Sequence, residues 1–333
     1  MSTSSLRIGI AGCGFAARVH LDRLLALEGV RVVGCADPNL AAAQALAGRV
    51  PVLGSEPPAA AFADHRELLR QRTPDALAIF TPHRAHYRPA MDALQAGCHL
   101  FIEKPLSTNV QEAVDIVGLA RGRGRKVGVG HQYRLCPTLV EARRRLASGS
   151  IGAVRLVTAT LAQPWLATHG GAENSWRFDP RVSGGGLLAD AGVHLLDTLL
   201  WTTGQVAVET AALQSRLESG LDLVTAAVIR LSDGAPVTVA LSGISPGSLF
   251  ELVYFGEGGS LRVTERTLVE AQGEAPGQAL ALPEPAETID GNFVAALIDD
   301  VPLCCPADQA LDTVRLSEAI ARSAVAGQVV RLA

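Results

Sequence analysis

The chain has 333 residues, 48% of them hydrophobic, and a formal net charge of −4 from 29 Lys and Arg against 33 Asp and Glu. Such a length predicts about two domains with sizeable cores, and mild acidity argues against a nucleic-acid partner, which calls for a basic patch or stripe. No apolar run reaches the ~20 residues of a membrane helix, "MSTSSLRIGIAG" lacks the apolar core of a signal peptide, and six cysteines without CxxC or Cys/His spacing read as free thiols of a cytoplasmic protein.

In chain order, "LRIGIAG" reads as a strand, "ARVHLDRLLAL" as a helix and "VRVVGCAD" as a second strand. "ELLRQ" leads into the strand "DALAIFT", followed by the helix "YRPAMDALQAG", the strand "HLFIEKP", the helix "VQEAVDIVGLARGRG" and the strand "KVGVGHQ". Strands alternating with helices imply a parallel sheet. The short "RGRGRK" run (Arg121 to Lys126) solvates a helix end.

After about Gly130 the rhythm changes. The helix "PTLVEARRRLASG" precedes long alternating stretches, "AVRLVTATLAQ", "VAVETAALQSRL", "LVTAAVIRLSDGAPVTVALSG" and "LFELVYFGEGGSLRVTE". "SDGAP" and "GEGG" read as hairpin turns, so this sheet is largely antiparallel and open. "QGEAPGQALALPEPAE" reads as a loop, and "NFVAALIDD" and "PADQALDTVRLSEAIARSAVAG" return to helix.

"IGIAGCGFAARVH" ends a strand and opens a helix, with Gly12, Gly14 and Ala17 in a GxGxxA pattern around Cys13, Phe15 and Ala16. Gly12 permits the tight turn, Gly14 admits a pyrophosphate, Ala17 keeps the helix close to the sheet, and the helix N-terminus offers N–H groups and positive dipole. Alone, the pattern equally describes a glycine-rich turn. Asp37, closing the second strand about 20 residues on, adds a carboxylate for the two ribose hydroxyls. A 2′-phosphate would be repelled there, and Pro38 and Asn39 supply no cation, so NAD is favoured over NADP. The fold class expected is α/β, with an N-terminal Rossmann domain over residues 1–129 and an α+β domain with a large, mostly antiparallel open sheet over 130–333.

"FTPHRAHYRPAMDALQAGCHLFIEKPLS" and "GGGLLADAGVHLLDTLLWTTG", with "RFDP" before it, complete a pattern. With the glycine fingerprint, they resemble the glucose–fructose oxidoreductase and inositol dehydrogenase (Gfo/Idh/MocA) family over essentially the whole chain. The resemblance implies that Lys104 of "EKP" and Asp190 and His194 of "DAGVH" are catalytic. It also implies that Thr81, Pro82, His86, Glu103 and Lys104 line the cofactor, with Gln132 and Tyr133 as further site residues. His83 stands where a typical member has Asn, and "GHQYRLCP" departs from the usual segment. Dimers or tetramers built on the second domain's sheet are implied as well.

On a regular helix Asp190 and His194 are i and i+4, and Asp197 lies in the same arc, opposite Leu188, Leu195 and Leu199. Three readings compete. Asp190 can be a dipole-favoured residue near a helix start and His194 a satisfied half-buried histidine; a metal site lacks further ligands; catalysis fits a secondary alcohol. In the last, His194 takes the hydroxyl proton, the Lys104 ammonium stabilises the developing alkoxide, and Asp190 binds a hydroxyl or orients His194. Trp165 and Trp176 can stack on a sugar face or simply pack. The chain therefore reads as an NAD-dependent oxidoreductase of a hydroxyl on a sugar, cyclitol or sugar derivative. The rivals are an enzyme recycling a tightly held nucleotide, including a glycosidase working by transient oxidation, and a non-catalytic nucleotide-binding regulator.

Overall fold

The computed structural model describes residues 5–52, 57–170, 176–273, 275–284 and 287–332. The chain divides into two compact units, Met1–Gly130 with Glu287–Leu311 and His131–Ala286 with Asp312–Ala333. The sequence suggests one boundary after residue 129; in the fold, residues 287–311 also belong to the first unit, through long-range contacts that no local pattern encodes.

The first unit runs β1 (Leu6–Ala11), α1 (Phe15–Leu25), β2 (Val30–Ala36), α2 (Leu40–Ala47), β3 (Ala60–Phe62) and α3 (His65–Arg72). It continues with β4 (Ala76–Ile79), α4 (Tyr87–Gln95), β5 (His99–Ile102), α5 (Val110–Gly122) and β6 (Val127–Val129). The sheet is wholly parallel in the order β3-β2-β1-β4-β5-β6. Every residue of β4 is buried, and Ile8, Ile10, Leu77 and Ile79 are fully so, as a sheet covered on both faces requires. The order reverses between β1 and β4, the point where open α/β sheets bind ligands. Neither α2 nor β3 was expected. "LAAAQALA" offers little polar contrast to mark a helix face, and β3 has only three residues.

The second unit opens with α6 (Pro137–Ala147), β7 (Val154–Ala162), α7 (Trp165–His169) and α8 (Pro180–Ser183). A π-helical turn at Leu188–Gly192 then leads directly into α9 (Val193–Thr203). There follow β8 (Ala207–Arg216), β9 (Asp222–Leu231), β10 (Pro236–Ser242), β11 (Leu249–Gly256), β12 (Gly259–Thr264), β13 (Leu268–Gln272) and β14 (Gln278–Ala279). Next comes α10 (Ile289–Ile298) of the first unit, then α11 (Ala307–Ala326) and β15 (Val330–Arg331).

Among the described residues these strands form a nine-stranded sheet in the order β14-β13-β12-β11-β7-β10-β9-β8-β15, antiparallel except between β7 and β10. Both expected hairpins form, β9 with β10 and β11 with β12. β14 falls in the stretch read as loop, part of which (residues 274, 285 and 286) lies outside the described residues. Two residues pairing at a sheet edge leave no periodic signal.

Alternation divides this sheet. Ala227, Ile229, Val237, Val239, Leu252 and Tyr254 point into a core shared with Leu195 and Leu199 of α9. On the other face Leu213 is 74% and Val228 54% exposed. No helix among the described residues is long and apolar enough to cross a membrane. Leu252 is fully buried at the middle of the sheet, so Leu252→Ala should cost about 2–5 kcal/mol, read as a lowered urea midpoint; an unchanged midpoint would remove this residue from the core.

Candidate active site

In the first unit the glycine turn after β1 is built from absences of side chain. Gly12 has φ +86°, and a Cβ there would stand 2.6 Å from the carbonyl carbon of Phe80 and the amide nitrogen of Thr81. Only glycine permits the β1 end to lie so close to the β4 end. Gly14, in extended conformation, precedes α1, and a Cβ there would meet nothing within 4 Å. No side chain caps α1, which leaves its first N–H groups suited to a phosphate. Ala17 is fully buried, whereas Phe15 is exposed at the rim and Ala16 is half-buried.

Asp37 closes this turn. Its Oδ2 accepts from the Cys13 amide and its Oδ1 from the Asn39 amide, both at 2.8 Å. The carboxylate is thus held at the end of β2, with lone pairs left for hydroxyl donors. These features fit the adenosine half of a dinucleotide.

At the ends of β4 and β5, two loops are tied by one histidine. His86 is wholly buried, with Nδ1 2.8 Å from the Pro105 carbonyl and Nε2 2.9 Å from the Thr81 carbonyl. Burial pushes its pKa below the usual histidine value. The resemblance set His86 among residues lining a cofactor; its position makes it a brace between the "TP" and "EKP" loops. His83 is also buried, edge-on to His86 at 6.0 Å between ring centres. Thr81, Pro82, Glu103 and Lys104 are half-buried, and the Lys104 amide donates to Glu103 Oε2 at 2.9 Å.

In the second unit the glycine run is forced by close approach. A Cβ on Gly186 would lie 2.1 Å from the Asp222 carbonyl oxygen, and one on Gly192 would lie 2.9 Å from Leu241 Cδ1. The Asp222 carboxylate accepts from the Gly186 amide at 3.0 Å and the Leu188 amide at 2.7 Å, pinning the start of the helical segment to β9. Burial raises the Asp222 pKa despite these donors.

Asp190 sits in the π-helical turn, 5% exposed. Trp165 Nε1 donates to its Oδ2 at 2.8 Å and Arg177 Nε donates to the same oxygen at 2.9 Å. Trp165 is therefore a buried prop of Asp190, and the Arg177 guanidinium also covers the Trp176 ring at 4.4 Å. Because the turn is π-helical, the regular i, i+4 geometry expected of Asp190 and His194 does not carry across it. His194, on the first turn of α9, is half-buried and meets the edges of His131 and Tyr133, at 5.9 and 5.1 Å between ring centres. The Tyr133 hydroxyl donates to Glu265, and burial is the first cause holding its pKa above the usual tyrosine value. Gln132 is exposed in the same short turn.

Asp197 departs from the expected polar stripe. It is 1% exposed, gripped by Arg134 through Nε at 2.9 Å and Nη2 at 2.7 Å, with Thr313 Oγ1 at 3.2 Å. Burial works against its charge, but His131 and Arg134 keep its pKa below the usual carboxylate value. Arg134 is itself 3% exposed. The pair is a structural rivet holding the His131–Leu135 segment on α9, which places His131 and Tyr133 beside His194. Sequence reasoning assigned no part to Arg134, Arg177 or Asp222, although a basic residue inside "GHQYRLCP" and an acid opening an apolar strand were available signals.

Comparison with known proteins decides the family. Residues 6–131 match the family described as "Oxidoreductase family, NAD-binding Rossmann fold", and residues 139–262 match its "GFO/IDH/MocA C-terminal domain". The chain belongs to the GFO/IDH/MocA oxidoreductase family. This GFO/IDH/MocA protein is 28% identical to D-glucoside 3-dehydrogenase of Escherichia coli, over 78% of the chain and 70% of that protein. It is 26% identical to UDP-N-acetylglucosamine 3-dehydrogenase of Acidithiobacillus ferrooxidans, over 89% and 87%. Its fold is shared with the WlbA dehydrogenase of Bordetella pertussis, solved in complex with NADH and UDP-GlcNAcA, at TM-score 0.86, 23% identity and 99% of each chain.

Truncating one member of the buried pair leaves the other charge without its partner. Asp197→Ala should therefore cost about 3–5 kcal/mol. Arg134→Met with Asp197→Leu should recover part of that loss in chemical unfolding, and equal stability of the single and double variants would contradict the rivet.

Proposed function

We propose that this oxidoreductase transfers hydride between NAD and a secondary hydroxyl, or the corresponding ketone, of a sugar, cyclitol or sugar derivative. The observation carrying the reading is Asp190, held by Trp165 and Arg177 just ahead of His194 in a segment shaped by its glycines. A carboxylate so fixed can accept from a substrate hydroxyl without reorganising. Both relatives named above are 3-dehydrogenases of sugars by name, which supports a sugar hydroxyl.

Asp37 would accept from the ribose hydroxyls, the N–H groups at the start of α1 would hold the phosphates, and Gln132, Thr81 and Pro82 would flank the rest. When bound, nicotinamide supplies the hydride acceptor. His194 takes the hydroxyl proton in oxidation and returns it in reduction. The Lys104 ammonium offsets negative charge on the reacting oxygen. The buried thiols of Cys13, Cys35 and Cys98 support a cytoplasmic setting. The exposed apolar sheet face around Leu213 and Val228 supports self-association as a dimer or tetramer.

Removing the proton acceptor separates binding from chemistry. His194→Ala should keep NAD affinity and lose roughly 10²–10⁴-fold in kcat, with steady-state rates and nucleotide titration as the measurements. The rise of oxidation rate with pH should vanish with the imidazole. Full turnover with an unchanged pH profile would return His194 to a merely packed histidine. In nucleotide titrations NADH should bind more tightly than NADPH; the reverse order would remove Asp37 from its role.

A further inference from the structure

His20 on α1 is a buried histidine that the chemistry above leaves unused. Its Nδ1 stands 2.6 Å from Asp290 Oδ1 on α10, and its Nε2 stands 3.3 Å from Glu103 Oε1 at the end of β5. The ring stacks on Phe80 at 4.6 Å and tilts against Phe101 at 5.3 Å. Two carboxylates can only accept, so both ring nitrogens must donate, and only the imidazolium has two N–H groups. The second oxygen of Glu103 accepts the Lys104 amide at 2.9 Å. A continuous chain of contacts thus runs from α10 through α1 to the peptide that carries Lys104.

We propose that His20, as an imidazolium clamped between Glu103 and Asp290, is a positioning residue that fixes where Lys104 leaves the sheet, and that its deprotonation sets an alkaline limit on turnover. The proposal rests on the reading of Lys104 as the charge-stabilising group.

The charged groups facing His20 are Glu103 from β5, Asp290 from α10 and, on α1 itself, Arg23, whose Nη1 lies 3.5 Å from Asp290 Oδ2. Behind Glu103 stand Lys104 and His86. Burial opposes the charge on His20, but the hydrogen bonds to Asp290 and Glu103 outweigh it and lift its pKa to about 9. A folded value above the ordinary histidine value gives stabilisation that is complete below the ordinary pKa and is lost as pH rises through about 9. A neutral imidazole has one N–H for two carboxylates. Glu103 then competes with Asp290 for that donor, and the anchor of the Lys104 amide loosens.

Asp290→Asn tests this from α10 and leaves Glu103 and Lys104 unaltered. Histidine NMR titration of the NAD-bound protein should place His20 near 9 in the parent, and roughly tenfold or more weaker in proton affinity in Asp290→Asn. The alkaline limb of kcat should move down in pH with it, with KM for NAD unchanged. A merely structural role would lower the melting temperature without moving that limb. Should Asp290→Asn not fold, Glu103→Gln, which still offers an oxygen to the Lys104 amide, should lower the His20 titration likewise. His20 titrating near its ordinary value in the parent, or a kcat limb that stays while the titration moves, overturns the inference. Lys104→Met at parental turnover overturns the reading of Lys104 instead, and the NMR titration, independent of activity, tells the two failures apart.

Discussion

An ionised side chain inside an apolar fold must be given partners, and in the second unit of this protein the partners arrange the candidate site residues. Asp190 is stable at 5% exposure because Trp165 and Arg177 donate to it. Those donors also fix its orientation. Asp197 needs Arg134 for the same reason, and that pairing brings His131 and Tyr133 against His194. The cost of burying charge thus becomes a device for placing chemistry.

Glycines play the complementary part. Gly12 lets β1 and β4 meet at the turn that would hold pyrophosphate, and Gly186 and Gly192 let the π-helical segment lie against β9 and β10. At each position any Cβ would overlap atoms of a neighbouring element, backbone at Gly12 and Gly186 and a leucine methyl at Gly192. Rigid placement of Asp37 and Asp190 follows from packing that only these residues allow.

Much of this was legible in the sequence, because it is local. The alternation of strands and helices, the GxGxxA turn and the acid at the end of the second strand are patterns of neighbours. The remainder depends on distance along the chain. Helical spacing puts Asp197 in one polar arc with Asp190 and His194, but its partner Arg134 lies 63 residues away, and His20 finds Asp290 across 270 residues. The π-helical turn, which breaks the regular arc from Asp190 to His194, arises where Asp222 pins Gly186 and Leu188. Periodicity carries no trace of such contacts.

The proposed chemistry is hydride exchange between NAD and a carbohydrate hydroxyl. Its most direct test mixes the protein and NAD with glucosides, nucleotide sugars and inositols, and follows the absorbance of reduced nicotinamide. At least one of them should reduce NAD, with one ketone formed for each nicotinamide reduced. Tight NAD binding with no polyol oxidised, and no matching ketone reduced by NADH, would contradict it.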